Sequence, residues 1–412
     1  MLRPDQQELL TRIGPGTRMG GLLRRYWHPV AASAELPAGS TRAVRLLGED
    51  LVLYRSATGR PALLEAACPH RRVSLVHGEV VGDHLICPYH GWRFNAAGDC
   101  LAMPAEASQD PALLRRCGTR AYPVQELGGL VFAYLGPEPV PLLPRWDVLV
   151  WEDGLRDIGR AVIPCNWLQI MENSVDPTHV EWLHGGHLAW VRQRQGMPVP
   201  THYRRHHARI GFERFRYGII KRRILEGGTE QDDDWRIGHP LLFPLMVRVG
   251  AGQQHRLQIR VPVDDHHTLH FWYACYRPRP DQQPTQQSTI PIYEVPWRNA
   301  NGEFITDFVD GGDIMAWVSQ GAIADRCRER LVGSDAGLVV YRRMLFEQLE
   351  RSEAGEDPVG VIRDPAENTL IQLPQEQNKL RVGHQFLEQT LTMSHVRHSP
   401  ILRDIIDLLS QA

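Results

Sequence analysis

The segment MENSVDPTHVEWLHGGH, residues 171–187, places three histidines and three carboxylates within 17 residues, a density that points to metal ligation rather than to an ordinary solvated face. His179 and His184 are five positions apart. On a regular α-helix that separation is about 140° of rotation, so both imidazoles reach one ion only if the helix is distorted or stops near the second ligand. Gly185 and Gly186 supply such an ending, which carries His187 beyond it. Two His with one carboxylate would leave positions open for oxygen and substrate on non-haem iron. Glu172 and Glu181 read as bystanders. Asp176 precedes Pro177, a pairing suited to capping a helix start. It also lies about 60° from His179 around a helix, near enough to accept that ring's other N–H.

A second constellation lies upstream. CPHRRVSLVHG carries Cys68 and His70, and CPYHGW carries Cys87 and His90. Two thiolates and two imidazoles on two loops satisfy either tetrahedral zinc or a [2Fe-2S] cluster. Each loop supplies one Cys and one His, which favours the cluster, with both cysteines on one iron and both histidines on the other. His77 and His84 fall outside this symmetry and read as surface residues, and Cys100 reads as packing. A centre that passes single electrons, beside an iron open to oxygen, makes a two-stage device that neither motif predicts alone.

Around the cluster loops, strand-length apolar runs such as RAVRLLGEDLVLYRS and GGLVFAYLG alternate with Gly, Asp and Pro, the pattern of a small antiparallel β domain over 42–145. The proline-rich GPEPVPLLPRW, 136–146, cannot continue a helix or central strand and marks its end. Beyond it NWLQIMEN predicts a helix feeding the histidine segment. HRLQIRVPV and HTLHFWYACYRP predict long strands, and Leu338, Tyr341, Leu345 and Leu349 recur at helical spacing. QDDDW, 231–235, and DQQPTQQSTIP, 281–291, read as a solvated turn and an exposed loop. The formal net charge of -2, with 23% charged residues, argues against a nucleic-acid or anionic-membrane surface. No run approaches the roughly 18 apolar residues of a membrane span, and Asp5 and Glu8 interrupt any leader, so a cytoplasmic enzyme is expected. Seven scattered cysteines give no disulfide framework.

With CPHRRVSL, CPYHGW and ENSVDPTHVEWLH in place, the chain resembles the large (alpha) subunit of Rieske non-haem iron aromatic-ring-hydroxylating oxygenases, and its length and later segment resemble the phthalate-dioxygenase branch. The resemblance implies an α+β protein. A helical segment, 1–41, would pack on the catalytic domain. An antiparallel β Rieske [2Fe-2S] domain would span 42–145, and a helix-grip (START-like) catalytic domain with a curved antiparallel sheet 146–412. It implies Cys68, His70, Cys87 and His90 as cluster ligands and His179 and His184 as ligands of a mononuclear Fe(II). Asp176 would link His179 to a cluster histidine of a neighbouring subunit, and Asn166 would lie near the iron. The family's carboxylate ligand is an Asp seven positions before a Gln. Asp313 stands so before Gln320, with Asp310 in reserve, although Gly312 replaces the usual Gln or Glu before the ligand.

Partners implied are O2, an aromatic substrate and a separate flavin/iron-sulfur reductase carrying NAD(P)H electrons, with the chain in a homo-oligomer, a head-to-tail trimer or stacked trimers. The expected reaction is dioxygenation of an aromatic carboxylate such as phthalate or phenoxybenzoate. The alternative is a Rieske monooxygenase, an O-demethylase or hydroxylase on a methoxylated or otherwise substituted aromatic; an electron-transfer iron-sulfur protein is more remote. A carboxylate calls for a cation that can grip it with two hydrogen bonds. Arg248, in the otherwise apolar FPLMVRVG, is the nominee, and Trp182, Trp190, Phe243 and Trp317 read equally as an aromatic pocket lining or as core.

Overall fold

The computed structural model describes residues 1–199, 202–279, 281–282 and 287–410, so part of the loop expected over 281–291 lies outside the described residues. The chain divides into two compact units, Ile13–Leu143 and Met1–Arg12 with Pro144–Ala412.

In the first unit, short strands separated by turn residues form three antiparallel sheets. Thr41–Leu46, Glu49–Arg55, Pro61–Glu65 and Ala121–Tyr122 make one. The meander Glu79–Val81, His84–Ile86, Arg93–Phe94 and Cys100–Ala102 makes the second. In the third, Leu130–Tyr134 lies between Trp27–Ala32 and Val124–Leu127. Leu64, Leu75, Leu85 and Phe94 fill the core together with Cys68, Cys87 and Cys100, so Cys100 is packing, as its isolation predicts. The two Cys-His segments are the connections at the ends of these strands, loops carried by a rigid framework.

The second unit is built on an eight-stranded sheet in the order His207–Phe215, Gly218–Leu225, His239–Leu242, Met246–Ala251, Gln254–Asp264, His267–Tyr276, Leu155–Ile163, Ile292–Glu294. All neighbours are antiparallel except the last pair, where Ile158, Gly159 and Arg160 run parallel to Ile292, Tyr293 and Glu294. The expectation of a helix-grip domain with a curved antiparallel sheet is therefore corrected: the sheet is mixed and is not curled or closed. After Tyr276 the chain reverses across the intervening strand 155–163 and lies down on its far side, which makes the final pairing parallel. Pairing runs from one edge strand to the other without closing. Helix Ala336–Glu353 buries Tyr341, Leu345 and Leu349 as the spacing predicts, and packs on helix Trp167–Val175 and strand His207–Phe215. No described helix is long and apolar enough to cross a membrane.

Helix Trp167–Val175 leads into the histidine segment and is anchored by charge. Glu172, buried, accepts hydrogen bonds from Arg326 Nη2 at 2.7 Å and Arg342 Nε at 2.6 Å, and Arg342 also pairs with Glu329. Burial alone would raise the Glu172 carboxyl; the two guanidiniums hold it below the ordinary carboxylate range. Its stabilising contribution is thus complete above the unfolded pKa and is lost as pH falls through the lowered folded value. Glu172→Gln leaves buried guanidinium charge without its carboxylate and is expected to destabilise this unit by about 3–5 kcal/mol, read by denaturant unfolding. The variant should also lose part of the wild type's steepening of unfolding towards acid pH.

Candidate active site

The two Cys-His loops have the same backbone plan. Cys68 N–H donates to Val73 O at 2.9 Å and Cys87 N–H to Trp92 O at 2.8 Å; Arg72 N–H and Gly91 N–H return bonds to the two cysteine carbonyls. The fourth residue after each cysteine is left-handed, Arg72 at φ 62° and Gly91 at φ 71°. The result is a pair of matched knuckles. Cys68 and Cys87 are buried and not disulfide-linked. Burial pushes the Cys68 thiol up to about 11, as it does for a thiol with no cation beside it. His70 and His90 lie nearer the surface, their ring centroids 4.6 Å apart, and His70 stacks on Trp92 at 4.6 Å and 6°. Thiols inside and imidazoles outside suit a [2Fe-2S] cluster with one iron of each kind.

In the second unit, Val180–His187 is a π-helix that continues into helix Leu188–Arg194. Its i→i+5 pattern brings residues five apart towards one face. Gly185 and Gly186 therefore do not end the helix; the distortion is a widening, not a stop. Gly185 is needed for a close approach, because a Cβ there would meet Tyr203 O at 2.7 Å. Asp313 arrives from helix Val309–Ser319, seated in turn by Gly311, where a Cβ would lie 2.0 Å from Ile305 O. Asp313 Oδ1 stands 3.4 Å from His184 Nε2 and 3.8 Å from His179 Nε2. The three ligand atoms lie within 4.8 Å of one another, a group that could hold one metal ion.

The environment fits a cation. Asp313 Oδ1 is buried without a hydrogen-bond partner. Burial pushes the Asp313 carboxyl up to about 7 and the His184 imidazole well below its usual range, an environment in which a cation among the three would favour the carboxylate and the neutral imidazole. Asp310, the reserve ligand, lines the same cavity but stands outside the ligand trio and is engaged by His395, whose N–H donates to its Oδ2 at 2.7 Å. Asp176 accepts from Thr178 N–H and Oγ1, each at 2.7 Å, and from His179 N–H at 3.2 Å. Its Oδ2 lies 3.5 Å from His179 Nδ1, close enough to orient the ring but long for a hydrogen bond.

Other sequence expectations are redistributed. Asn166 caps helix 167–175 through Leu168 N–H and gives its amide to Thr11 O and Asp265 O, while Asn173 lines the metal cavity. Asn173 sits six residues before His179, a proximity the sequence displays but does not distinguish from ordinary helix. Arg248 is also misplaced: Val247 and Val249 face the cavity, so period-2 alternation turns Arg248 to the other side. There it lies 3.4 Å from Asp147 and donates to His255 Nδ1 at 2.8 Å. None of the four named aromatics lines the cavity, since Trp182 and Trp190 are exposed and Phe243 and Trp317 are core; Tyr203 and Phe386 line it instead. Beside these the wall carries Lys221, Arg223, Arg256 and Arg260, which alternate onto one face of strands 218–225 and 254–264. The acidic run at 231–235 is not wholly solvated either, because buried Asp234 accepts from Arg223 Nε at 2.7 Å.

Known proteins share both halves of this arrangement. The Rieske [2Fe-2S] domain model matches residues 26–123, the vanillate O-demethylase oxygenase C-terminal domain model 163–295, and the LigXa C-terminal domain like model 300–374. The 5,5'-dehydrodivanillate O-demethylase oxygenase subunit of Sphingobium sp. (strain NBRC 103272 / SYK-6) is 42% identical, over 91% of this chain and 87% of that protein. The phenoxybenzoate dioxygenase subunit alpha of Ectopseudomonas oleovorans is 36% identical, over 87% and 88%. Among solved structures, Pseudomonas putida CBB5 NdmA superposes with a TM-score of 0.58 at 21% identity, over 81% of this chain and 92% of that one, a likeness of fold. The chain belongs to the Rieske non-haem iron oxygenases, as their large, oxygenase subunit. It is an oxidoreductase with a [2Fe-2S] domain and a His/His/Asp site for mononuclear iron.

Asp313→Ala is expected to lower bound iron by one atom per chain while the visible absorption of the cluster persists, as read by metal analysis and spectroscopy. Asp310→Asn should keep that iron.

Proposed function

We propose that the chain is the terminal oxygenase of a Rieske monooxygenase system that removes the methyl group from a methoxylated aromatic compound. The observation that carries this is the 42% identity to an O-demethylase oxygenase subunit over 91% of the chain, above the 36% to the phenoxybenzoate dioxygenase subunit. The vanillate O-demethylase C-terminal model, over 163–295, covers both metal-facing histidines. The initial preference for dioxygenating a carboxylate such as phthalate or phenoxybenzoate becomes the second reading. The overall change is ArOCH3 + O2 + 2 H+ + 2 e− to ArOH + CH2O + H2O, with electrons from NAD(P)H through a separate flavin/iron-sulfur reductase.

Cys68, His70, Cys87 and His90 would hold the cluster and His179, His184 and Asp313 the iron. Bound, these centres supply single-electron transfer and reductive activation of O2. The chain's own residues set the conditions. His179 turns Nε2 to the metal position and Nδ1 towards Asp176, whose carboxylate is fixed by three protein hydrogen bonds. Lys221 Nζ donates to Ser174 O at 2.7 Å and Asp176 O at 3.4 Å, pinning the turn that carries that acid. Arg260 gives one nitrogen to Ser174 Oγ at 2.7 Å and to Gln258 Oε1 at 2.8 Å, which braces the same helix against the sheet. A methoxyl carbon hydroxylated in this cavity would become a hemiacetal, whose C–O bond breaks to give phenol and formaldehyde. Asp176 would relay electrons from a cluster histidine of a neighbouring subunit in a head-to-tail trimer.

With reductase, NADH and a panel of methoxylated arenes, formaldehyde should appear in equal amount to the phenol, whose oxygen stays unlabelled under isotopic O2. A cis-diol carrying two labelled atoms overturns demethylation. Asp176→Asn should keep both metal centres but leave the reduced cluster unable to reoxidise when substrate and O2 are added, followed by its visible spectrum. Loss of the iron in that variant would assign Asp176 to ligation instead.

A further inference from the structure

The cationic wall of the metal cavity is not uniform. Arg223 is paired with Asp234, and Lys379 with Glu376. Lys221 is spent on two backbone carbonyls, and Arg260 on Gln258 and Ser174. Arg256 differs from all of these. It is 5% exposed and lines the cavity, yet its Nε meets no acceptor and its side chain makes no hydrogen bond or ion pair among the described residues.

The neighbouring acids do not complete it. Asp310 is engaged by His395. Asp157 shares its row across the sheet, but with Ala274 between them, Arg256 opposite Ala274 and Ala274 opposite Asp157. Two strand spacings are roughly 9.6 Å, and no ion pair forms. Asp157 and Asp310 feel the Arg256 charge only through space, and burial pushes the Asp157 carboxyl up to about 7 in spite of it. A guanidinium out of water without an acceptor is costly, and fully hydrogen-bonded partners are the rule for such groups.

The rest of the lining is suited to an arene. Val247, Val249, Phe386 and Met393 supply apolar surface in the same cavity, while Val180 and Val309 lie beside the metal-facing elements. A ring between such side chains, bearing an anionic group, would bring Arg256 the planar two-oxygen acceptor that its fork matches. We propose that Arg256 anchors the substrate and that the substrate is an aromatic carboxylate, an inference that rests on reading this cavity as the place where the methoxyl group is oxidised. Arg256 is a specificity residue here, and Arg248, on the opposite side of the sheet, takes no part.

The test is calorimetric binding to the metal-loaded holoenzyme without reductase, using 3-methoxybenzoate against 3-methoxybenzamide and a methoxylated biphenyl carboxylate against its amide. An acid should bind roughly 10- to 100-fold more tightly than its amide. Arg256→Gln should remove that preference by weakening the acid alone, and Arg256→Lys should restore part of it. Equal affinity of acid and amide, failure of both acids to bind, or unchanged acid binding in Arg256→Gln would overturn the proposal. If the Gln variant does not fold, the acid-to-amide ratio in the unaltered protein decides. Formaldehyde release is scored separately. Acids bound without formaldehyde overturn demethylation and leave the anchor standing, whereas amides demethylated as readily as acids overturn the anchor alone.

Discussion

His179, His184 and Asp313 must converge in a largely buried cavity, and the architecture of the catalytic unit answers to that demand. Three donors, within 4.8 Å of one another, repel or fail to satisfy each other unless a cation sits among them. Holding them there takes a widened helix, a glycine that lets the turn at Tyr203 press against it, and a second glycine that seats the helix of Asp313. Behind these stands the buried grip of Arg326 and Arg342 on Glu172, which fixes the preceding helix. The polar interactions at the site's edge are thus structural before they are chemical.

Much of this is legible in sequence where a residue's chemistry leaves few uses for it. The two Cys-His loops repeat one spacing and form matching knuckles, and the pair His179/His184 declares a distorted helix because five residues do not fit an α-turn. What the sequence does not disclose is the form of the distortion: glycines at 185 and 186 are equally compatible with a stop and with a close contact. The sheet's final strand is hidden for a similar reason. Ile292–Glu294 is only three residues long, and its parallel pairing is decided by where the chain reverses, not by its own composition.

Position on a strand explains the remaining differences. Arg248 stands out in sequence because its neighbours are apolar, but those neighbours, Val247 and Val249, are the residues that face the cavity. Arg256 and Arg260 are inconspicuous in HRLQIRVPV, where alternating polar residues normally face solvent. Here helices cover that face, so the alternation that usually marks an exposed surface marks an interior one. Asn166 and Asn173 exchange roles likewise, one taken by capping and the other left at the cavity because of where its helix ends.

The bond between Asp310 and His395 has a wider reach than its length. It joins the first turn of the helix bearing Asp313 to a segment more than 80 positions later, and Thr390, Met393 and Ser394 of that same segment form part of the cavity wall. Residues 390–398 are therefore an organ of the oxygenase centre, although none of them belongs to the metal-facing trio. Inserting a tag, a reporter or a fusion junction there would rearrange substrate access and the carboxylate together, so alteration in that region is equivalent to working inside the active site.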